Sequence, residues 1–486
     1  MKSILRNEMP SNLFGMSNIV LLFGIGWTVL NVYFLPFAVW TLGIVRPWFI
    51  INGLLPYKDF TWIRTPLDMF LLSFWYRIFG VGATSYQLFV LLLLVVLCIL
   101  VFYTTRQLFG SKFIGAFLFY IIFLFPLFIN TEEGEFLVGV FIMSVFISMW
   151  KYLRYSQLRW LFISGCIGGL VYITKQNASV IMLALFCSLT FDAYLRRNSI
   201  AQWLQRTVIF AFGGLLPVAL TLSYFYFRGG LNDFLYYTVF FVLGPYAKQQ
   251  PNLIHGDGLW IAAGYITLLI PFILFWKRLR LQPQIVVLLT LIVLTSLFSL
   301  LPSFLSYRAF PAFGAIALVA GFDIALLQDK TAKIVIKGIV LISFLLFIIF
   351  TFRFIQSYIV FIQGNNVAYG QFITDYGDDE KKIAHWIKTN TSKDEKIADF
   401  GNEIIYVLSD RLPKHKYIEP FPYHLQPYER SSQLFINDPP KIVIYDTSLP
   451  QIHKGLENWP FIPFMKKYYK EVGRYGDTLV IYQFST

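Results

Sequence analysis

The chain of 486 residues is 57% hydrophobic and only 14% charged, and aromatic side chains make up 19% of it. Soluble globular domains contain about 45–50% apolar and about 25% charged residues. Together with a mean hydropathy of +0.61, this composition excludes a disordered chain, a collagen-like chain and a soluble multidomain enzyme. Apolar runs of about 20 residues recur along most of the sequence, which predicts a polytopic α-helical membrane protein.

The net charge of +13 belongs to one part of the chain. Residues 1–355 carry a net charge of +14, whereas residues 356–486 carry −1. An excess of Lys and Arg in a membrane part is expected, because cytoplasmic loops tend to be positive. The charge therefore indicates a membrane orientation and gives no reason to expect nucleic acid as a partner.

Eleven apolar runs are predicted to span the membrane. They cover residues 17–40, 86–104, 113–129, 135–150, 160–174, 178–194, 207–226, 259–276, 284–301, 309–327 and 334–355. The first run is too long for a signal-peptide core, and we interpret it as a retained anchor. The aromatic stretch 234–243 is left open as a re-entrant or interfacial segment.

The distribution of basic residues predicts the orientation. With the N-terminus in the cytoplasm, the inside segments hold 16 Lys and Arg, and the outside segments before residue 350 hold 8. This bias predicts that the tail after residue 355 and the two longest loops, 41–85 and 227–258, lie outside. Long loops on one face of a rigid scaffold are where function tends to reside.

The composition changes at about residue 356, which predicts two domains: a transmembrane catalytic domain over 1–355 and a soluble extracytoplasmic α/β domain over 356–486. In the second domain, the apolar spacing predicts a helix over 378–390 with Asp378 as N-cap, and a second helix over 402–410. Short strands are predicted at residues 396–400, 441–446 and 477–484.

The most informative segment is NGLLPYKDFTWIRTPLDMFLLSFWYRIFG, residues 52–80. It places Asp59 after Pro56 in a proline-stiffened loop, beside aromatic sequence that suits the membrane–water interface. A carboxylate in such a place is suited to deprotonating a hydroxyl while a lipid-linked partner lies in the bilayer.

This loop resembles the first periplasmic loop of the C-type (GT-C) glycosyltransferases. Within that class, the loop is most similar to the branch that contains the protein O-mannosyltransferases and the aminoarabinose–lipid A transferases. The chain thus resembles glycosyltransferase family 39. The matching residues are Gly53, Pro56, Tyr57, Asp59, Phe60, Pro66, Leu67, Phe79 and Gly80. Weaker matches are NTEEGEF (130–136), TKQNAS (174–179), SYRAFPAFGAIALVAG (306–321) and the tail.

The resemblance implies a GT-C-like fold and transfer of a sugar from a polyprenyl-phosphate donor to an extracytoplasmic acceptor, which is a lipid, a glycan or a protein. In this chemistry a base takes the proton of the acceptor hydroxyl, and cations stabilise the departing phosphate. Asp59 is the predicted base.

Other charged residues at predicted outer ends of spans complete the candidate site. Glu133 and Glu135 are predicted to assist catalysis or to bind a divalent cation such as Mg²⁺ or Mn²⁺, and Glu132 is a weaker candidate for the same role. A solvated turn that supplies charge to a helix N-terminus is the other interpretation. His255 and Asp257 are weaker candidates for such a metal site.

The predicted substrate-binding residues are Tyr57, Arg64, Lys175, Tyr307 and Arg308. Lys175 and Arg308 suit a lipid phosphate, although snorkelling towards headgroups explains such positions equally well. Arg64 is placed either to orient Asp59 or to meet phosphate, and Tyr307 to donate a hydrogen bond nearby.

Three other functions remain as alternatives. A lipid-linked oligosaccharide flippase or transporter typically has internal repeats and ionisable residues at mid-membrane depth, and the sequence shows no convincing repeat. A polysaccharide polymerase or ligase is expected to carry its large outer loop late in the chain. A plain anchor for the tail would not need eleven spans. The expected location is a bacterial inner membrane.

Overall fold

The computed structural model describes residues 11–34, 37–39, 41–110, 113–128, 133–246, 258–278, 281–300, 306–364, 372–374, 376–416, 428–449 and 460–485. The chain is mostly helical up to residue 364 and forms a small α/β arrangement after residue 376. The predicted fold class, a helical membrane protein with a small C-terminal α/β part, is confirmed.

The helices of the first part follow one another along the chain. They are α1 (Ser11–Phe34), α2 (Thr41–Ile51), α3 (Leu67–Phe79), α4 (Ala83–Phe109), α5 (Phe113–Phe128), α6 (Glu133–Tyr155), α7 (Leu158–Thr174), α8 (Ile181–Leu195), α9 (Ile200–Phe227), α10 (Leu231–Leu235), α11 (Gly258–Phe275), α12 (Pro283–Ser296), α13 (Phe313–Gln328) and α14 (Ile334–Gly364). Two 3₁₀ helices, Gln176–Val180 and Ser306–Ala312, lead into α8 and α13. The short strands β1 (Phe37–Val39) and β2 (Phe372–Thr374) lie before α2 and after α14.

Within the described residues, five helices are long and apolar enough to cross a membrane. They are Ala83–Phe109, Glu133–Tyr155, Gln176–Leu195, Ile200–Phe227 and Arg308–Gln328. Almost all of the described residues of the predicted spans lie on helices, and the first span continues past α1 into β1. Several of these helices are shorter than a bilayer requires. The protein is therefore a multi-pass membrane protein, and the number of eleven spans stays a prediction.

The segment 234–243 is helical throughout, with α10 followed by π-helical turns at Tyr236–Phe240 and Val242–Tyr246. π-Helical turns widen the backbone and are often found at functional sites. Whether this segment is re-entrant or interfacial stays open.

The chain forms two compact units that are discontinuous in sequence. The first unit consists of Met1–Ala38, Gln87–Thr221 and Asn252–Phe372, and the second of Val39–Tyr86, Leu222–Pro251 and Ile373–Thr486. The loop with Asp59 therefore groups with the tail. The functional division at residues 355 and 356 stays a prediction.

The tail is built on a four-stranded sheet in the order β3–β4–β6–β5. Its strands are β3 (Ala398–Phe400), β4 (Ile442–Asp446), β5 (Tyr469–Tyr475) and β6 (Leu479–Phe484). β3 pairs with β4 in parallel, whereas β6 runs antiparallel to both β4 and β5. A bulge between Glu471 and Gly473 interrupts the last pairing.

Four helices accompany this sheet: α15 (Asp378–Asn390), α16 (Ile404–Ser409), α17 (Tyr428–Asn437) and α18 (Phe461–Tyr468). The bounds of α15 agree with the prediction, and its apolar face buries Ile383, Ala384 and Ile387. Asp378 is not its N-cap, because Gly377 takes that position and its N–H donates to Glu380 Oε2 at 2.7 Å.

Besides β2, three elements of the tail were not predicted, namely α17, α18 and β5. Each of them contributes to one apolar core, in which Phe435 of α17 and Phe461 of α18 pack at 5.1 Å between ring centroids, with Tyr469 of β5 beside them. These segments have ten residues or fewer, so no long apolar period marks them in the sequence.

Candidate active site

Asp59 lies in a closed turn between α2 and α3. Its backbone N–H donates to the carbonyl of Leu55 at 2.9 Å, and its Oδ2 accepts the Leu55 N–H at 2.7 Å. The side chain is partly exposed. Among the described residues, none donates a hydrogen bond to Oδ1 or forms an ion pair with this carboxylate. One carboxylate oxygen is thus anchored, and the other is open to a ligand.

Tyr57 stabilises the same turn through its buried side chain. Its φ of +69° lies in the left-handed region, which a bulky residue seldom occupies. The ring is fully buried, and it packs edge-on against Phe225 at 5.3 Å and Phe234 at 5.2 Å. The hydroxyl donates to the carbonyl of Arg64 at 2.5 Å. Tyr57 therefore fixes the loop, and its role in substrate binding stays a prediction.

The basic residues near Asp59 in the sequence, Lys58 and Arg64, contact groups other than its carboxylate. Lys58 Nζ donates to the carbonyl of Arg228 at 3.4 Å. The guanidinium of Arg64 is partly exposed and lies 5.4 Å from the ring centroid of Trp62. Arg64 is thus partly accessible, with an aromatic face beside it.

In the first unit, Glu135 and Lys175 form a buried ion pair. Glu135 is 2% exposed and Lys175 is 7% exposed, and the ammonium contacts Glu135 Oε1 directly. Glu135 lies in the first turn of α6, where a helix N-terminus favours negative charge. Lys175 is the extended residue between α7 and the 3₁₀ helix Gln176–Val180. Two residues that were predicted separately are therefore in contact.

Glu133 begins α6 and is partly exposed, so its carboxylate is more accessible than that of Glu135. Glu132, His255 and Asp257 lie outside the described residues. Within the ranges that the structure describes, no group of three His, Cys, Asp or Glu side chains is arranged to hold a metal ion. The possible divalent cation stays a prediction.

Arg308 lies in the 3₁₀ helix Ser306–Ala312, which packs against the start of α6. The contact is made by Phe310 and Phe136, whose ring centroids are 4.8 Å apart. Arg308 is partly exposed, two positions before Phe310. The backbone of Tyr307 belongs to the same helix, but its side chain is not among the described parts. The start of α6 and the 3₁₀ helix with Arg308 are thus neighbours.

Sequence reasoning missed a second buried cation, Arg46 in α2, which is 1% exposed. Its guanidinium lies 3.7 Å from the Trp62 ring centroid and 3.5 Å from Glu403 Oε1 in the tail. A charged residue inside the apolar helix TLGIVRPWFII is a signal that could have identified Arg46. No comparable signal marks Glu403.

Known proteins resemble this chain in both sequence and fold. Residues 64–226 match the family described as dolichyl-phosphate-mannose-protein mannosyltransferase. The structure of ArnT from Cupriavidus metallidurans bound to undecaprenyl phosphate superposes with a TM-score of 0.54 at 10% identity, over 98% of each chain. The apo structure of the same protein gives 0.53 at 11% identity, over 97% of this chain and 98% of that one. The resemblance to the C-type glycosyltransferases is confirmed.

The matched range of the mannosyltransferase family covers only part of the candidate site. It includes Arg64, Glu133, Glu135 and Lys175, and it begins after Asp59. The structural similarity to ArnT, in contrast, extends over nearly the whole chain, tail included. No curated protein sequence matches the chain.

Proposed function

We propose that this protein is a membrane glycosyltransferase that moves a sugar from a polyprenyl-phosphate donor to an acceptor outside the cytoplasm. The agreement of its fold with ArnT over 98% of both chains carries this proposal. The match of residues 64–226 to a mannosyltransferase family supports the same reaction class.

Asp59 is the proposed general base. Its carboxylate takes the proton of the acceptor hydroxyl, whose oxygen attacks the anomeric carbon, while the bond from that carbon to the phosphate oxygen breaks. Polyprenyl phosphate leaves with the electron pair, and the configuration inverts. The turn supports this role because Leu55 N–H holds Oδ2 while Oδ1 receives no hydrogen bond from a described residue. A positioned base of this kind contributes about 10²–10⁴-fold to a rate.

Cations are needed where the leaving phosphate gains charge. Arg64, Lys175 and Arg308 are the proposed phosphate ligands, and Tyr57 and Tyr307 are proposed to assist them. Glu133 and Glu135 are proposed to assist catalysis, and the ion pair with Lys175 supports a role for Glu135 in positioning that lysine. The acceptor is a lipid, a glycan or a protein.

Substitution of Asp59 tests the base directly. Asp59→Asn keeps an oxygen that accepts the Leu55 N–H, so the turn survives, but the amide cannot take a proton. We expect this variant to lose transfer by about 10²-fold or more. The assay uses purified protein with a panel of undecaprenyl-phosphate hexoses and pentoses plus a membrane extract as acceptor, and it measures released undecaprenyl phosphate.

Two further variants make the result specific. Asp59→Ala removes the turn contact as well, so it separates loop damage from loss of the base. Asp394→Asn changes an exposed tail carboxylate and serves as the matched control with unchanged transfer. Full activity of Asp59→Asn would reject the assignment of the base.

The proposed location is a bacterial inner membrane, with a cytoplasmic N-terminus and an extracytoplasmic tail. The bias of basic residues carries this orientation. A reporter fused after residue 486 is expected to be active outside the cytoplasm, and a cytoplasmic signal would overturn the topology.

A further inference from the structure

A buried guanidinium supports the first loop from α2. Arg46 is 1% exposed, and it is among the largest fully buried side chains described. Its Cζ lies 3.7 Å from the centroid of the Trp62 ring, and Nη1 donates to the carbonyl of Thr61 at 3.4 Å. Arg46 therefore holds two consecutive residues of the segment between Asp59 and Arg64.

The charge that compensates Arg46 comes from the tail. Glu403 is 8% exposed, and its Oε1 lies 3.5 Å from Arg46 Nη2. Glu403 directly precedes α16, so the helix fixes its position. A buried charge that loses its partner is strongly destabilising, because the low-dielectric interior no longer stabilises it. Arg46 thus depends on a carboxylate from a distant part of the sequence.

Aromatic packing connects the same two elements. Tyr406 of α16 is 1% exposed, and its ring meets Phe49 of α2 edge-on at 5.5 Å between centroids. Phe49 in turn packs on Phe60 at 5.3 Å, next to Asp59. Helix α16 of the tail therefore contacts α2 through both an ion pair and a ring contact. Helix α2 in turn contacts the loop through Phe49 and Phe60.

A backbone contact between the tail and the loop lies at the same place. Thr61 N–H donates to the carbonyl of Lys416 at 3.1 Å. Thr61 is 0% exposed, so water does not replace this bond. The residue is thus held on one side by Arg46 through its carbonyl and on the other by the tail through its N–H.

Trp62 lies between Arg46 and Arg64, the proposed donor-binding residue. Its ring stacks with Arg46 at 3.7 Å and lies 5.4 Å from the guanidinium of Arg64. The carbonyl of Arg64 also accepts the Tyr57 hydroxyl at 2.5 Å. The placement of Arg64 therefore follows from the placement of Trp62, which follows from Arg46.

We propose that Glu403 is a positioning residue for sugar transfer: through Arg46 and Trp62 it holds residues 60–64 so that Arg64 meets the donor phosphate. This inference rests on the proposed function. It makes the tail a part of the machinery that binds the donor.

The test compares Glu403→Gln with Glu395→Gln in the full-length protein. Both substitutions remove a tail carboxylate that pairs with a cation, but Glu395 pairs with Lys441 at 3.8 Å within the tail. For Glu403→Gln we expect the KM for the undecaprenyl-phosphate sugar to rise about tenfold, with kcat changed less than about twofold, because Arg64 shifts while Asp59 stays in its own turn. Glu395→Gln is expected to change neither constant.

Hydrogen exchange provides a readout that does not depend on activity. The peptide with residues 57–66 is expected to exchange faster in Glu403→Gln, because the Thr61 N–H bond to Lys416 opens more often, and unchanged in Glu395→Gln. Faster exchange with an unchanged KM would show a purely structural residue and overturn the proposal, and so would unchanged exchange.

Two more outcomes are distinguishable. If the wild-type protein transfers no sugar from any donor, the proposed function fails, and exchange alone then decides whether Glu403 holds the loop.

If Glu403→Gln does not fold, Glu403→Asp and the double variant Arg46→Gln with Glu403→Gln replace it. The double variant removes both buried charges, so it is expected to regain the fold but keep the raised KM. A double variant with wild-type KM would overturn the proposal.

Discussion

Each compact unit contains a buried ion pair, and the two pairs are built differently. Lys175 and Glu135, 7% and 2% exposed, are in direct contact at the ends of two apolar helices. Arg46 and Glu403 are 3.5 Å apart, and the guanidinium also lies on Trp62 and binds a backbone carbonyl. An ammonium is a compact, strongly hydrated charge, whereas a guanidinium spreads its charge over a plane. The first pair depends on direct contact of opposite charges. In the second pair, the guanidinium of Arg46 contacts three groups, namely the Glu403 carboxylate, the Trp62 ring and the Thr61 carbonyl.

Breaking the first pair is therefore expected to have the largest effect on stability. Lys175→Met leaves the Glu135 carboxylate buried, and Glu135→Leu leaves the ammonium buried. Each is expected to lower the free energy of unfolding by about 3–5 kcal/mol. Thermal unfolding of the detergent-solubilised protein measures this, and the double variant is expected to regain most of the loss.

The same measurement on the second unit sharpens the contrast. Glu403→Leu is expected to lose less than either single variant, since Arg46 keeps its contacts with Trp62 and Thr61. Equal losses in the two units would mean that the aromatic face contributes nothing to Arg46. A double variant of the first pair that stays as unstable as the single variants would mean that Glu135 and Lys175 are not coupled.

The sequence singled out both members of the first pair as separate candidates, without pairing them, and it missed both members of the second pair for a physical reason. Lys175 and Glu135 stand next to long apolar runs, where an ionisable residue is conspicuous. Glu403 lies in a polar tail where carboxylates are common, so only the three-dimensional structure connects it with Arg46. The same limit applies to Tyr57, because the sequence does not reveal that a tyrosine takes a φ of +69°.

Most of the fold was predictable, since long apolar helices need only a periodic or continuous apolar pattern. Helix α15 was predicted to the residue because its apolar face repeats at i, i+3 and i+4. Strand β5, YKEVGRY, was not, since most of its side chains are polar and partly exposed and its pairing depends on β6. The grouping of the first loop with the tail also depends on contacts between distant segments, which a single sequence does not specify.

A buried carboxyl of the tail, Asp399, forms no ion pair with any residue that the structure describes, and its behaviour is expected to differ from that of both pairs. Asp399 is 2% exposed, and its Oδ1 accepts the Gly401 N–H at 2.8 Å. Within the described part of the chain, Oδ2 has no hydrogen-bond partner. Burial raises the pKa of Asp399 well above its usual range, and the nearby Glu403, Glu380 and Asp446 carboxylates raise it further, against the lowering by Gly401.

The sign of the pH dependence follows from this shift. Between the pKa of an unfolded aspartate, about 3.9, and the raised pKa, the folded protein binds more protons than the unfolded chain. Stability is therefore present at low pH and is lost as the pH rises through the folded pKa. Asp399→Asn removes this loss and is expected to raise the stability of the tail at neutral pH.

Unfolding of the full-length protein at pH 5 and pH 8 checks this prediction, with hydrogen exchange of residues 398–409 as a local readout. Asp394→Asn is the matched control, since Asp394 is an exposed tail carboxylate that is not among the groups that shift the pKa of Asp399. An Asp399→Asn protein that is less stable than wild type at pH 8 would show that Asp399 is ionised and stabilised in the fold.

The smallest effect is expected at a more exposed pair that joins the tail to the segment after α9. Lys416 contacts the Asp233 carboxylate and lies 5.0 Å from the Tyr237 ring centroid, with the two charged side chains 21% and 36% exposed. Exposed pairs contribute about 0.2–1 kcal/mol and weaken with salt. Asp233→Asn is expected to lose stability within that range, and the loss is expected to disappear near 1 M salt.

Lys414→Met, which breaks the neighbouring pair with Asp438 at 2.9 Å, is the control for a tail pair without a loop contact. The backbone bond from Thr61 N–H to the Lys416 carbonyl does not depend on the ammonium, so exchange of residues 57–66 is expected to stay unchanged in Asp233→Asn. A loss above about 2 kcal/mol, or one that persists in high salt, would place this pair with the buried ones. The tail would then hold the second unit together through surface charge as well as through Arg46.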